Sequence, residues 1–172
     1  TGKFLQSQLE KVRISLREDC WIINSLRCRP TQIFNGRVTN RTPTQREVEW
    51  CRPNVLNAIH ELKPEIIVLV GGIAVDSLIG WLWKSSTGKA SRWTNYVIPD
   101  QQLNAYIIPV WHPSYVVRDD EGDGNSEGLG EKFYRKELKE LLYLRQLQQI
   151  APLKGRPWED GPDYESEVEI VL

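Results

Sequence analysis

The sequence predicts an α/β protein, a three-layer α/β/α sandwich around a short, mainly parallel central sheet. Three short apolar runs rich in β-branched residues, at residues 20–26, 66–70 and 105–111, are typical of buried strands. Segments with apolar residues at helical spacing separate these runs, so helices and strands alternate along the chain. Apolar residues make up 40% of the 172 residues, which is enough for one hydrophobic core.

Helices are predicted before, between and after the strands. The segment "KFLQSQLEKVRI" carries apolar residues at positions 4, 5, 9 and 12, close to one helical face. Thr44 is a predicted N-cap with Glu47 as its capping-box partner, and that helix should run to about Leu62. Gly71 and Gly72 should turn the chain into a third helix. "EKFYRKELKELLYLRQLQQI" predicts a long terminal helix.

The remaining segments are predicted to be loops. Residues 28–44 contain Pro, Asn-Gly and several arginines, and residues 84–104 are polar with a short β excursion at "NYVIP". The acidic, Gly-rich "RDDEGDGNSEGLG" is expected to be a mobile loop. The domain should therefore span residues 1–150. Residues 151–172, rich in Pro, Gly and acid, should form an extended tail with little fixed structure.

Composition narrows the function classes. The longest apolar run, "IIVLVGGIAV", is too short for a membrane span, and the N-terminal segment lacks the layout of a signal peptide, so we expect a cytoplasmic protein. Three cysteines argue against a disulfide framework. Residues 1–60 carry ten Lys/Arg against five Asp/Glu, which suits a polyanionic partner. The chain contains no Met, which indicates a processed or partial chain.

His112 is the first candidate functional residue. In "PVWHPSYVVR" it ends the predicted strand 105–111, where Pro113 forbids further ladder pairing. Side chains at strand ends of α/β sheets face the crevice where ligands bind. The alternative is a histidine that caps the strand by bonding a loop carbonyl, and its position alone leaves both open.

Asn24 and Gly71 stand at the ends of the other two predicted strands. The amide of Asn24, at the end of "WIIN", would face the same crevice, unless it forms a turn by bonding its own backbone. Gly71 and Gly72 would let the backbone approach a phosphate or sugar closely. The alternative role for these glycines is tight helix–sheet packing.

Four segments, in order, resemble the family 4 uracil-DNA glycosylases, the iron–sulfur branch of their superfamily. They are "TGKFL", "INSLRCRP…NRTPTQREVEWCRP", "ELKPEIIVLVGGIAVDSLIG" and "WHPSYVVR", and they cover roughly residues 1–150. The combination is specific, although each segment alone is weak. The resemblance implies hydrolysis of the N-glycosidic bond of uracil in DNA during base excision repair, by a protein associated with the nucleoid.

Family members carry further elements ahead of the "TGKFL"-like segment. These are a first strand ending in a Gly-Glu-Ala-Pro-Gly-type loop, an aromatic residue that stacks on the flipped base, and two further cysteines. This chain begins after them. We therefore expect a first strand from a preceding segment or a partner chain. Competing hypotheses are a non-catalytic nucleic-acid-binding or partner-docking module that retains the scaffold, and an inactive fragment of a larger enzyme.

The resemblance assigns the chemistry to two residues. Uracil presents an acceptor O4 and a donor N3–H, which the amide of Asn24 matches. Cleavage leaves negative charge at uracil O2, and a fixed donor there, His112, contributes typically ~3 kcal/mol.

Ser114 and the segment that follows it are expected to contact DNA near these two residues. Ser114 would bind a phosphate oxygen. Tyr115 to Arg118 would form a loop that fills the gap left by the flipped base. For Val116 and Val117 within this loop, packing on the core is the alternative.

Cys28 and Cys51 are, by resemblance, two of the four ligands of a [4Fe–4S] cluster. The alternative is two unrelated buried thiols. "TQIFNGRV" between them looks like an insertion relative to the family. Cys20 is interpreted as core and His60 as structural. Two cysteines alone leave the cluster site incomplete.

The arginines of the predicted loop and the helix after it form a candidate basic face for DNA phosphates. The alternative is a solvated run of charge. The residues are Arg27, Arg29, Arg37, Arg41 and Arg52.

Overall fold

A computed structural model of the chain describes residues 2–84, 87–118 and 129–158, without the side chains of residues 129–133. The described helices are α1 (Gly2–Lys11), α2 (Gln45–Leu62), α3 (Gly72–Leu82), α4 (Pro113–Val117) and α5 (Leu129–Gln148), with a 3₁₀ turn at Ala90–Arg92. The strands are β1 (Thr31–Phe34), β2 (Arg37–Asn40), β3 (Ile66–Val70), β4 (Ile98–Asp100) and β5 (Ala105–Val110).

The central sheet has the order β3-β5-β4 within the described chain. β3 and β5 run parallel, in a register that pairs Ile66 with Tyr106 and Val70 with Val110. β4 is antiparallel to β5. Because β3 and β5 are in register, their carboxyl ends lie side by side, which brings the residues that follow each strand together.

Helices cover both faces of this sheet, which confirms the predicted three layers. On one face, α1 and α5 pack on β5 through Leu9, Ile108, Val110, Tyr143 and Leu147. On the other face, α2 and α3 pack on the sheet through Ile59, Leu69, Leu78, Ile79 and Ile107. Adjacent residues of β5 thus serve opposite cores, because side chains alternate along a strand.

The capping box predicted for α2 is confirmed. The Thr44 hydroxyl accepts from the Glu47 N–H at 3.3 Å, and the Glu47 carboxylate accepts from the Thr44 N–H at 2.8 Å. The helix ends where Lys63 adopts a left-handed conformation with φ of 45°. The local pattern therefore determined both the start and the end of α2.

The strand predicted at residues 20–26 is wrong. These residues form no regular secondary structure, and Trp21, Ile22 and Ile23 are 80%, 69% and 40% exposed. No backbone hydrogen bond joins them to another described residue. A strand needs a neighbour to pair with, and apolar β-branched composition does not supply one.

The loop predicted at residues 28–44 is also wrong in part, because it contains a β-hairpin. β1 and β2 pair antiparallel across Asn35 and Gly36, whose φ values are 50° and 71°. Two consecutive positive φ values define a type I′ turn. Asn-Gly between β-branched residues is a strong hairpin signal, which the arginines and prolines around it obscured.

The C-terminal end of the described chain is held to the body of the domain by hydrogen bonds, and the domain boundary at residue 150 stays a prediction. Residues 153–158 contain no helix or strand, yet Arg156 donates to the Asn104 carbonyl at 3.1 Å. The Asn104 side-chain amide pairs with the Trp158 backbone at 2.9 and 3.2 Å. Two predicted segments lie outside the described residues: residues 119–128 of the acidic loop predicted to be mobile, and residues 159–172 of the predicted tail.

No helix described here is both long and apolar enough to cross a membrane.

Candidate functional site

His112 lies where β5 ends and α4 begins, and it is the N-cap of α4. The Ser114 backbone N–H donates to His112 Nδ1 at 3.1 Å, and the Ser114 hydroxyl lies 2.6 Å from the same nitrogen. Pro113 follows at the first helical position, where its missing N–H costs nothing. The histidine therefore caps a short helix rather than the strand, and its ring is held by Ser114.

These two contacts determine the proton on the imidazole. A backbone N–H can only donate, so Nδ1 must accept, and the proton of the neutral ring sits on Nε2. The pKa of His112 is lowered because part of the ring is removed from water and because Arg118 is close. The ring is therefore neutral at pH 7 and offers an Nε2–H donor.

Gly71 packs directly against His112. A Cβ on Gly71 would lie 2.9 Å from the His112 Cβ, closer than real side chains approach. Its φ of 85° also disfavours other residues. The structure shows close packing of this glycine against the histidine, and the approach of a phosphate or sugar to Gly71 stays a prediction.

Gln146 holds the strand end just before His112 and was missed by sequence reasoning. This side chain is fully buried in α5, and its Oε1 accepts from the Trp111 N–H at 2.9 Å. It lies between Tyr143 and Leu147 on the buried side of the helix. A glutamine inside an apolar stripe is the signal that would have identified it.

The predicted loop from Tyr115 to Arg118 is instead the short helix α4. Val116 is fully buried, so for this residue the core interpretation is right. The Tyr115 ring is 49% exposed, packs edge-on against Trp111 at 5.3 Å and lies 4.8 Å below the Lys139 ammonium group. Arg118 is exposed at the end of α4. A braced aromatic ring and a cation thus stand beside His112.

Asn24 is exposed in the unpaired segment 20–26. No hydrogen bond links its amide to another part of the described chain. The structure therefore brings His112, Ser114 and Gly71 together but does not fix Asn24 against them. His60, the other histidine, is exposed in the last turn of α2.

Cys28 and Cys51 come together although 23 positions separate them in the sequence. The pKa of the Cys28 thiol is raised, first by partial loss of hydration and then by the nearby Cys51 thiol. Cys20 is half-buried, and burial also raises the pKa of its thiol. Among the described residues, no three Cys, His, Asp or Glu side chains converge as a metal site. The described chain therefore offers two thiols to a cluster, not four.

The arginines divide into two groups. Arg41 forms a salt bridge with Glu47 at 2.6 Å, which lowers the pKa of the Glu47 carboxyl to about 2, with a further contribution from the Thr44 N–H. Arg52 donates to the Ser77 carbonyl at 2.8 Å. These two guanidinium groups therefore form intramolecular contacts that stabilise the folded structure. Arg29, which bonds Asn40 at 2.7 Å, is exposed, as are Arg27 and Arg37.

A three-layer sandwich with a histidine at the carboxyl end of a parallel strand belongs to the α/β proteins whose ligand sites lie at strand ends. The sequence profile of the Uracil DNA glycosylase superfamily matches residues 1–142. The chain belongs to this superfamily.

Curated relatives carry the name Type-4 uracil-DNA glycosylase. The protein of Thermotoga maritima is 31% identical over 106 residues, which is 60% of this chain and 47% of the relative. That of Archaeoglobus fulgidus is 27% identical over 117 residues, 67% of this chain and 55% of the relative. That of Saccharolobus solfataricus is 31% identical over 115 residues, 66% of this chain and 50% of the relative. The chain thus spans about half the length of these relatives.

Proposed function

We propose that this chain is part of a uracil-DNA glycosylase and carries the residues that excise the base. The enzyme hydrolyses the N-glycosidic bond of uracil in DNA and leaves an abasic site, and it acts at the nucleoid. The observation that carries the proposal is the hydrogen bonding of His112. Both donors of Ser114 converge on Nδ1, which leaves Nε2–H available at the end of β5. Membership of the superfamily gives that donor a substrate class.

In this proposal His112 stabilises the leaving uracil. Cleavage of the bond between C1′ and the base moves its electron pair onto the base, where the charge concentrates at O2, and water supplies the hydroxyl that replaces the base at C1′. A neutral imidazole that donates its Nε2–H to O2 would strengthen this hydrogen bond as the charge develops. Ser114 and Gly71 act as positioning residues, because one fixes the ring nitrogen and the other leaves room for the histidine.

Asn24 reads the uracil edge in this proposal, with its amide donating to O4 and accepting from N3–H. Its segment must then be held at the sheet. The outer edge of β3 offers a place, because no described strand pairs with it. Tyr106 N–H bonds the Glu65 carbonyl and Gly71 N–H bonds the Val110 carbonyl, so odd-numbered residues of β3 face β5. The N–H and C=O groups of Ile66, Val68 and Val70 therefore face outward.

We infer that a further strand, from a preceding segment or a partner chain, pairs with this edge. Residues 20–26 form no strand, but apolar side chains on the added segment would cover Trp21, Ile22 and Ile23. That arrangement satisfies an open sheet edge and covers an exposed apolar run at the same time.

Cys28 and Cys51 are proposed as two ligands of a [4Fe–4S] cluster, with the other two thiolates supplied alongside the added strand. The contact between the two thiols supports this, because ligands of one cluster must converge. When bound, the cluster would join residue 28 to α2 and have a structural role.

Because this chain offers only two of the four thiolates, iron should bind poorly to it alone. Once the other two thiolates are present, the protein should absorb broadly near 400 nm, as iron–sulfur thiolate charge transfer implies, and Cys28→Ser should bleach it while Cys20→Ser should not.

DNA contact is proposed for the exposed groups around His112 and the hairpin, namely Tyr115, Arg118 and Arg29. The positive charges of Arg118 and Arg29 would bind phosphates, so affinity should fall steeply with salt. Ser114 and Gly71, which were predicted to contact DNA, contribute in this proposal by positioning His112. Arg41, proposed from the sequence as a phosphate ligand, is neutralised by Glu47 and contributes by holding the hairpin base.

The direct test is excision from a duplex oligonucleotide with one uracil, using the chain together with its added strand. His112→Ala should lower the single-turnover rate about 10²- to 10³-fold, as loss of one oxyanion donor does. His60→Ala is the matched control and should leave the rate unchanged, because His60 is exposed on α2. An equal rate for wild type and His112→Ala would remove this histidine from the mechanism.

A non-catalytic nucleic-acid-binding module is the second candidate. The observation that favours it is the exposed position of Asn24, which no contact orients. Such a module would bind uracil-containing duplex and leave it intact even with the added strand present. Turnover that depends on His112 would exclude it.

A further inference from the structure

The β1–β2 hairpin, residues 31–40, projects an unusual set of side chains. Its two strands pair only with each other within the described chain. In the register, Ile33 lies opposite Val38, and Phe34 lies opposite Arg37 next to the two-residue turn. Because side chains alternate along strands, the first pair occupies one face of the hairpin and the second pair the other.

The apolar side chains of the hairpin are not packed on the protein. Ile33 is 79% exposed, Phe34 62% and Val38 70%. A cluster of exposed, large apolar groups around one turn is a feature of interaction sites, because leaving it in water is unfavourable. A two-stranded hairpin is also marginally stable alone, so something must hold it.

The base of the hairpin is fixed to the body by hydrogen bonds. The Arg41 N–H donates to the Pro30 carbonyl at 3.1 Å, and the Arg41 side chain donates to the Thr31 carbonyl at 3.2 Å and to Glu47 of α2. Arg29 joins the same base through Asn40 at 2.7 Å. The tip is therefore held in a defined position while its side chains face solvent.

The charge around the hairpin selects the kind of partner. Residues 20–46 contain five arginines and no Asp or Glu. Arg27, Arg29, Arg37 and Arg46 are exposed, and Glu47 neutralises only Arg41. An exposed aromatic ring within a stretch of uncompensated positive charge fits a nucleic acid, which presents phosphates and base faces together.

We propose that the hairpin is a second DNA-contact element, separate from the strand-end site, in which Phe34 packs against an unstacked base and Arg37 contacts a phosphate. Ile33 and Val38, on the opposite face, pack against the sugars. The inference rests on the proposed function, because it assumes that the protein engages DNA. It adds an element that the strand-end site does not need.

The test measures binding to a fluorescein-labelled duplex containing one central uracil, by anisotropy, across a salt series. Phe34→Ser should weaken binding about 5- to 150-fold, the range for loss of one base–aromatic stack. Phe34→Trp should bind at least as tightly as wild type, since it keeps the stacking surface. Tyr96→Ser is the matched control, because Tyr96 is 60% exposed, has no Lys or Arg within three positions in the sequence, and should bind unchanged.

Arg37→Gln provides an independent measurement. It should reduce the slope of log affinity against log salt by about 1, as loss of one phosphate contact does. Arg17→Gln, also exposed but next to Glu18 and Asp19, should leave the slope unchanged. Circular dichroism of each variant checks that the fold is retained.

The outcomes separate the two proposals. If wild type binds the duplex and the hairpin variants bind with the same affinity and salt slope, the hairpin inference is overturned while the strand-end proposal stands. If Phe34→Ser leaves DNA affinity unchanged and instead dissociates a dimer in sedimentation, the hairpin is a self-association surface and the inference is again overturned. If wild type binds no duplex at all, the proposed function fails with it.

Discussion

Residues 20–26 and β3 are similar in sequence and opposite in structure. Both are short apolar runs rich in isoleucine, and each is associated with a candidate site residue: Asn24 lies within the first run, and Gly71 follows the second. β3 pairs with β5 along its whole length, and Leu69 is 5% exposed. In the other run no residue is paired, and Trp21 is 80% exposed.

The difference shows that a partner strand, rather than composition, decides whether such a run becomes a strand. β3 has β5 on one side, and its backbone groups on the other side face outward. Residues 20–26 have no neighbour within the described chain. The same difference is present in the candidate site, because packing fixes Gly71 against His112, whereas Asn24 lies in the unpaired segment.

Amide hydrogen exchange should show the largest contrast. The N–H groups of Ile67 and Leu69 bond to β5, so their exchange should require opening of the core, with a free energy close to that of global unfolding, about 5–15 kcal/mol. Amides of residues 20–26 should exchange almost without protection. Val68, whose N–H faces the open edge, should exchange faster than Ile67. Protection of Ile22 equal to that of Leu69 would mean that this run is paired in solution.

Truncation of one side chain in each run should give the next largest effect. Leu69→Ala should lower the free energy of unfolding by about 2–5 kcal/mol, since it leaves a cavity between α3 and the sheet. Ile22→Ala should change it by less than about 0.5 kcal/mol, because the side chain is 69% exposed. Urea titration gives both values. Similar losses for the two variants would contradict the comparison.

Gly71→Ala should destabilise the end of β3 by about 1–3 kcal/mol, because φ of 85° is strained for alanine and the new methyl group meets His112. Gly155→Ala is the matched control. Its φ of 68° is also positive, yet nothing lies within 4 Å of the added atom, so its cost should be smaller. Activity should fall only for Gly71→Ala. If excision is unaffected, the contact does not position the histidine.

The smallest effect concerns the pH dependence of excision. The pKa of His112 lies below its ordinary value of 6.5, so the neutral ring and the stability linked to it are fully present above that pH and are lost as pH falls below it. Arg118→Gln removes a nearby positive charge and should raise this pKa. The acid limb of the rate profile should then move to higher pH. Arg17→Gln is the control, and an unshifted limb for Arg118→Gln would show that Arg118 does not act on the ring.

The sequence by itself determined the elements whose signals are local. Thr44 and Glu47 stand three positions apart and form the capping box that starts α2. The runs at 66–70 and 105–111 became β3 and β5, and β5 ends at Val110, three residues before Pro113. Each of these depends on residues within one turn or one strand, so the physical cause is visible in a short window.

The tertiary structure decided whatever depends on a distant neighbour. In the structure residues 20–26 are unpaired, and the thiols of Cys28 and Cys51 lie near each other. Gln146 of α5 accepts a hydrogen bond from the residue that follows β5. The charge pattern alone predicted that Arg41 contacts phosphates, but in the structure Glu47 neutralises this arginine. Pairing, burial and charge neutralisation are properties of two surfaces that meet, and the sequence of one surface does not determine which other surface it meets.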